Sequence, residues 1–231
     1  MQKYYSIIIP IYNELLELPK LLQEIHPYHL EGHELIIVDD GSIDKSHELL
    51  SNCDFINLIS FKTNKGKGIA LKEGLKKAKN DRIIIFDGDR ELYTDQIKKL
   101  MILDDSKKNE SVFATRFDNI KLDSFWNLGN LLLTNLFNLF NNSDVKDALC
   151  CAKAFYKSNI SINRLTAKKF NIDVEIAGQL VQKHDNVINI LIQYNRRNKK
   201  QGKKLRFRDG FSIIFQVVKD IKIRDIFINK K

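Results

Sequence analysis

The chain has 231 residues, of which 43% are hydrophobic and 29% charged, with only 3 prolines and 10 glycines; this composition excludes a disordered or collagen-like protein. The three cysteines, Cys53, Cys150 and Cys151, are odd in number and lack metal-ligand spacing, which excludes a disulfide framework and fits a reducing cytoplasm. Of the 38 Lys and Arg residues, 13 lie between Arg196 and Lys231 against 3 of the 29 acidic residues, so the body is near neutral and the tail basic.

A basic tail suits a polyanion, either an anionic membrane surface or nucleic acid, or else forms a solvated face. The division expected is therefore one α/β domain over residues 1–195 and a basic amphipathic segment over 196–231. The chain opens on a strand-like stretch without a secretory leader, and its longest uncharged window, Phe125 to Ser143, holds six asparagines. Neither secretion nor a membrane-spanning helix is expected.

In chain order, continuous apolar runs at Tyr5 to Pro10, Leu35 to Asp39, Phe55 to Phe61, Arg82 to Asp87 and Val112 to Arg116 read as strands covered on both faces. Helical spacing of apolar residues lies between them over Glu14 to Ile25 and Gly66 to Ala78. The pattern predicts a mainly parallel central sheet with helices on both faces, and places chemistry in the loops beyond the carboxyl ends of the strands. A further helix is predicted over Trp126 to Asn142. Its polar row Asn127, Asn130, Thr134, Asn138 and Asn141 stands opposite an apolar face packed on the core.

Ile85-Phe86-Asp87-Gly88-Asp89-Arg90-Glu91 is the most informative segment. An Asp-x-Asp pair alone is a weak signal. After a buried strand, however, it holds two carboxylates at the ligand edge of the sheet, where their repulsion calls for a cation. Glu91 joins the same face if the backbone stays extended. Oxygen-only ligands suit Mg²⁺ or Mn²⁺ bridging nucleotide phosphates. Val38-Asp39-Asp40-Gly41-Ser42 forms a second acidic turn, where Gly41 permits Asp40 to point back into the crevice and accept from a ribose or a base N–H. The turn Pro10-Ile11-Tyr12-Asn13-Glu14 ends a third strand beside these two, with Asn13 reading equally as a helix cap. No Gly-x-Gly-x-x-Gly follows the first strand, which argues against a dehydrogenase.

Those segments, with Asn64-Lys65-Gly66-Lys67-Gly68, stand in the order and spacing of glycosyltransferase family 2, and the chain resembles that family over nearly its whole length. Thr115-Arg116-Phe117, Asp147 through Phe155, Val174-Glu175-Ile176 and Tyr194 to Gly210 resemble more narrowly its dolichyl-phosphate mannosyltransferase-like branch. The resemblance implies a GT-A fold, Rossmann-like, and an inverting transfer from a nucleotide-diphosphate donor. By the same resemblance Pro10, Tyr12, Glu14 and Asp40 hold the nucleoside, Lys67 lies near it, and Asp87, Asp89 and Glu91 hold the metal. Arg116, Arg197 and Lys203 face phosphate oxygens. Arg90 departs from the family's leucine and Ala114 from its glycine.

A polyprenyl phosphate acceptor needs no base, whereas a glycan hydroxyl needs a carboxylate such as Asp147 or Glu175. Asp147 pairing Lys153 in a structural role is the other reading of that residue. Peripheral contact with an anionic membrane at the cytoplasmic face accompanies the lipid acceptor. Nucleic acid is not expected as a partner, because it leaves the carboxylates at the strand ends unexplained.

Overall fold

The computed structural model describes residues 4–104, 106, 110–116, 125–183, 187–197 and 214–216, with backbone alone at 125 and 126. Strands Ser6–Ile11 (β1), Glu34–Asp39 (β2), Asn57–Ser60 (β3), Arg82–Ile85 (β4), Ser111–Thr115 (β5), Lys153–Tyr156 (β6) and Val187–Leu191 (β7) form one sheet in the order β3-β2-β1-β4-β6-β5-β7. β1 pairs in parallel with β2 and β4, as do β2 with β3 and β5 with β7. β6 runs antiparallel to β4 and to β5. The mainly parallel sheet expected from the apolar runs is present, with β6 and β7 as strands that the sequence reading did not include.

β1 is buried along its whole length because both faces are covered. Ile7, Ile9 and Ile11 pack with Leu18, Leu21 and Ile25 of helix Leu18–Leu30 (α1). On the other face, Ile8 packs with Ala70, Leu71 and Leu75 of helix Lys67–Lys77 (α3), and with Ile172 and Ile176 of helix Ile172–Lys183 (α6). Burying each such isoleucine or leucine contributes roughly 1.5–3 kcal/mol, so the sheet centre is the rigid frame from which the loops project. Short helices Ser46–Ser51 (α2) and Ile97–Leu100 (α4), and helix Phe125–Asn141 (α5), complete the elements.

Two helix expectations change. α1 begins at Leu18 instead of Glu14, with Pro19 in its first turn, where its missing N–H costs nothing. Residues 13–15 are instead tied to the loop after β2: Asn13 N–H donates to Ser42 Oγ at 2.9 Å and Leu15 N–H to Asp44 Oδ2 at 3.0 Å. In α5 the expected apolar face is partly confirmed, with Phe137 buried and Leu133 and Phe140 packed against the core, but part of the polar row is buried beside it. Thr134 and Asn141 are buried, whereas Leu128, Leu132 and Leu139 are 49%, 59% and 74% exposed. Asn138 ties the helix to the turn that follows: its Nδ2 donates to Val145 O at 2.8 Å, and its Oδ1 accepts from Val145 N at 3.0 Å and Ser143 Oγ at 2.9 Å. Among the described residues no helix is long and apolar enough to cross a membrane. Of the basic segment 196–231, the described residues are Arg196, Arg197 and 214–216, where Gln216 Oε1 accepts from Asn171 Nδ2 at 3.2 Å and Phe215 is exposed.

Candidate active site

A cleft of about 690 Å³ opens at the carboxyl ends of β1, β2 and β4, within the size range of small-molecule sites. Pro10, Tyr12, Glu14, Asp40, Lys67, Asp87, Asp89, Glu91 and Arg116 all line it, so nine residues singled out from sequence share one space. Arg197 reaches the same place from the far end of the described chain. Its guanidinium meets Glu14 at 2.8 and 3.0 Å and lies 3.5 Å from Asp89 Oδ2. Lys203 lies outside the described residues.

The loop after β4 carries the acidic motif. Gly88 is held against β1, where a Cβ would come within 2.5 Å of Ile11 Cγ2. The segment is not extended, as placing three carboxylates on one face would require: Arg90 has φ 56 and turns the chain. Glu91 is thereby drawn aside, accepting from Tyr194 Oη at 3.1 Å and from the Arg197 N–H at 3.0 Å. Among the described residues no three His, Cys, Asp or Glu side chains gather as a metal cage. Asp87, Asp89 and Glu91 nevertheless all line the cleft.

Asp87 and Asp89 differ in ionisation for clear reasons. Burial, Asp87 and then Glu91 push the Asp89 carboxyl up to about 7. Burial raises Asp87 too, but the Lys67 ammonium at 2.8 Å, the Cys151 side chain and Arg116 together outweigh it and hold that carboxyl below the usual range. Lys67 also bonds Asp173 at 2.8 Å; although burial disfavours its charge, Asp173 and Asp87 hold it firmly protonated.

Lys67 is seated by glycines. Gly66 has φ +98, and a Cβ on Gly68 would come within 2.2 Å of Ala167 O, so only glycine lets the loop before α6 close on the start of α3. Asp40 fastens the same turn, its carboxylate accepting from Lys65 N at 2.7 Å and Gly66 N at 2.9 Å, an anchoring use beyond the nucleoside role expected of it.

Arg116, at the end of β5, is set by Asp147: Nε and Nη2 lie 2.7 and 2.9 Å from its two oxygens. The guanidinium also sits 5.4 Å from the Tyr194 ring centroid. Asp147 therefore pairs with Arg116 and not with Lys153, whose Nζ donates to the carbonyls of Ala148 and Cys150. Glu175 is equally committed, accepting from Thr166 N, Thr166 Oγ1 and Ala167 N at 2.8–3.0 Å.

Residues 6–162 match the family described as Glycosyl transferase family 2. The chain belongs to this glycosyltransferase family. Among family 2 relatives it is 30% identical to the UDP-N-acetylglucosamine–dolichyl-phosphate N-acetylglucosaminyltransferase of Methanococcus voltae, over 73% of this chain and 76% of that protein. It is 25% identical to the dolichyl-phosphate beta-glucosyltransferase of Dictyostelium discoideum, over 94% of this chain and 72% of that protein. The undecaprenyl-phosphate 4-deoxy-4-formamido-L-arabinose transferase of Pseudomonas savastanoi pv. phaseolicola is 35% identical over 54% of this chain, but the match covers only 38% of that longer protein. These similarities agree with the dolichyl-phosphate mannosyltransferase-like branch of family 2 that the later motifs resemble.

Two solved structures share the fold. One is mannosyl-3-phosphoglycerate synthase from Rubrobacter xylanophilus, with TM-score 0.71 and 15% identity over 99% of this chain and 76% of that one. The other is glucosyl-3-phosphoglycerate synthase from Mycobacterium tuberculosis, in complex with Mn²⁺, UDP and glucosyl-3-phosphoglycerate, with TM-score 0.70 and 15% identity over 95% and 80%. The family 2 chain thus has the expected GT-A fold.

The cleft contains groups that sequence reasoning missed: Asp173, Tyr194, Lys169, Phe170 and Asn130. Asp173 sits one residue before Val174-Glu175-Ile176, and Tyr194 opens the segment Tyr194 to Gly210 that was read by resemblance without a role of its own. Asn130 carried an available signal, since an asparagine row on a helix marks a face with polar work to do.

Proposed function

We propose that this protein is an inverting glycosyltransferase that moves a sugar from a nucleotide-diphosphate donor, UDP- or GDP-linked, to a polyprenyl phosphate, using Mg²⁺ or Mn²⁺. One observation carries this reading: Arg116, which lines the cleft, and Arg197, 3.5 Å from Asp89, stand at the acidic pair Asp87 and Asp89, each pre-set by a carboxylate. The relatives whose names specify dolichyl or undecaprenyl phosphate support the acceptor class.

The residues fit a divalent cation. Asp87 and Asp89 offer hard oxygen donors, and Asp89 ionises reluctantly because no nearby cation fully compensates it. Asp87 and Asp89 would hold a magnesium or manganese ion, which would supply positive charge toward the departing diphosphate. One or two carboxylates would suffice for such an ion, and Glu91, lining the same cleft, orients Tyr194 by accepting from its hydroxyl. Pro10, Tyr12 and Asp40 line the donor end of the cleft. Lys67 and the unpartnered, buried Nε of Arg197 supply cationic donors toward phosphate.

Arg116 and Arg197 orient the acceptor phosphate by charge-assisted bonds. Its oxygen is already largely anionic near pH 7, since the second phosphate pKa is about 6. It attacks the anomeric carbon from the face opposite the leaving diphosphate; one carbon–oxygen bond forms as the other breaks, and the configuration inverts. No general base is needed. A glycan hydroxyl acceptor needs one, and the two carboxylates suited by sequence, Asp147 and Glu175, are both committed to hydrogen bonds. The basic segment 196–231, with Ile214 and Phe215 exposed, supports peripheral contact with an anionic membrane at its cytoplasmic face.

The test incubates the protein with Mn²⁺, a panel of labelled UDP- and GDP-sugars and a short polyprenyl phosphate, and counts label extracted into organic solvent. Metal-dependent label, absent in Asp89→Asn at unchanged folding, is the expected result. Nucleotide release without lipid-soluble label would refute the acceptor assignment, and full activity in Asp89→Asn would refute the metal assignment.

A further inference from the structure

Between Asp89 and Glu91 the backbone passes through the left-handed region, with Arg90 at φ 56. A non-glycine residue disfavours that region by roughly tenfold in population, about 1.4 kcal/mol, and keeps it only where its surroundings impose it. The imposing contacts are plain. The Arg90 guanidinium reaches across to α1, with Nη1 2.7 Å from Glu17 Oε2, Nη2 2.9 Å from Glu24 Oε1 and Nε 3.3 Å from Glu24 Oε2. Thr94 Oγ1 braces Glu24 at 2.7 Å, and the Arg90 side chain is only 14% exposed. The turn so fixed also aims a candidate ligand, because the Glu91 N–H that follows Arg90 donates to Asp89 Oδ1 at 3.0 Å.

We propose that Arg90 is a positioning residue that clamps the acidic loop to α1 and so sets the affinity for the divalent cation. The inference rests on the metal reading above. Its sign separates it from plain electrostatics. Deleting a positive charge beside two carboxylates would tighten a dication; releasing the clamp lets the loop relax and weakens it.

Mn²⁺ alone is titrated into wild type, Arg90→Ala, Arg90→Gly and Asp89→Asn, with free Mn²⁺ read by electron paramagnetic resonance and Tm recorded for each. Arg90→Ala is expected to weaken binding about tenfold, about 1.4 kcal/mol. Arg90→Gly, which takes positive φ without strain, is expected to stay within about threefold of wild type. Binding in Arg90→Ala equal to or tighter than wild type overturns the proposal. So does equal weakening in Ala and Gly, since the backbone conformation is then not what the clamp controls. Wild type failing to bind, or Asp89→Asn binding as tightly, overturns the metal reading and this inference with it.

Discussion

Removing the Asp147 carboxylate tests whether the Arg116 pair is a buried, pre-set device. The Asp147 side chain is 2% exposed and that of Arg116 15%, and the two share contacts at 2.7 and 2.9 Å. Asp147→Ala strands a buried guanidinium without its two-pronged carboxylate partner, a loss of roughly 3–5 kcal/mol. For a domain of this size each kcal/mol moves Tm by about 2–4 °C, so the melting point should fall by about 6–20 °C. Replacing both partners, Arg116→Met with Asp147→Leu, removes the stranded charge and should return stability to within about 1 kcal/mol of wild type. That double variant should nevertheless fail to label a polyprenyl phosphate. Thermal denaturation followed by circular dichroism supplies the first comparison and organic extraction the second. If Asp147→Ala melts within 2 °C of wild type, on the same scale of about 2–4 °C per kcal/mol, the pair is not the buried clamp described here.

Two further predictions concern the frame. His33 is held below its ordinary pKa by burial, only partly offset by Glu31, and its Nδ1 accepts the Tyr5 N–H at 3.2 Å, which requires the neutral ring. The folded chain therefore binds fewer protons there than the unfolded chain, so stability should drop as pH falls below about 6.5. Urea midpoints at pH 7 and pH 5 should show that drop in wild type and a smaller one in His33→Gln; equal drops would remove His33 as the cause. On α5, Asn138→Leu should cost about 1–3 kcal/mol by stranding the Val145 amide and carbonyl, whereas Leu139→Lys should stay within about 0.5 kcal/mol. The reverse ranking in urea denaturation would mean the helix presents its other face.

The fold was legible where hydrophobic runs have one explanation. Ile7, Ile8 and Ile9 in succession demand cover on both faces, which marks β1 as a central strand. Lys153–Tyr156 evaded that logic, because its first residue is a buried lysine whose ammonium is satisfied by backbone carbonyls a few residues away. The α5 face was legible in part: Phe137 is buried as the apolar row implied, but Thr134 and Asn141 are buried beside it. Polarity does not require exposure where the polar groups find partners, as Asn138 does with both the amide and the carbonyl of Val145.

The site divides along the same line. Its carboxylates were readable because each follows a strand and short-range order carries them to the sheet edge. The cations could be named from the family resemblance, but not their partners, which lie 31, 106 and 183 residues away for Arg116 with Asp147, Lys67 with Asp173 and Arg197 with Glu14. Those pairings change what the site can do. A flexible arginine must give up rotamer freedom, about 0.5–1.5 kcal/mol, when it grips a phosphate; one already locked on a carboxylate has lost that freedom during folding. The lock also has a cost, since phosphate must compete with an acid only 2.7–2.8 Å away. Such an arrangement favours ligands of high charge density over neutral ones, which is what separates a phosphate acceptor from a hydroxyl.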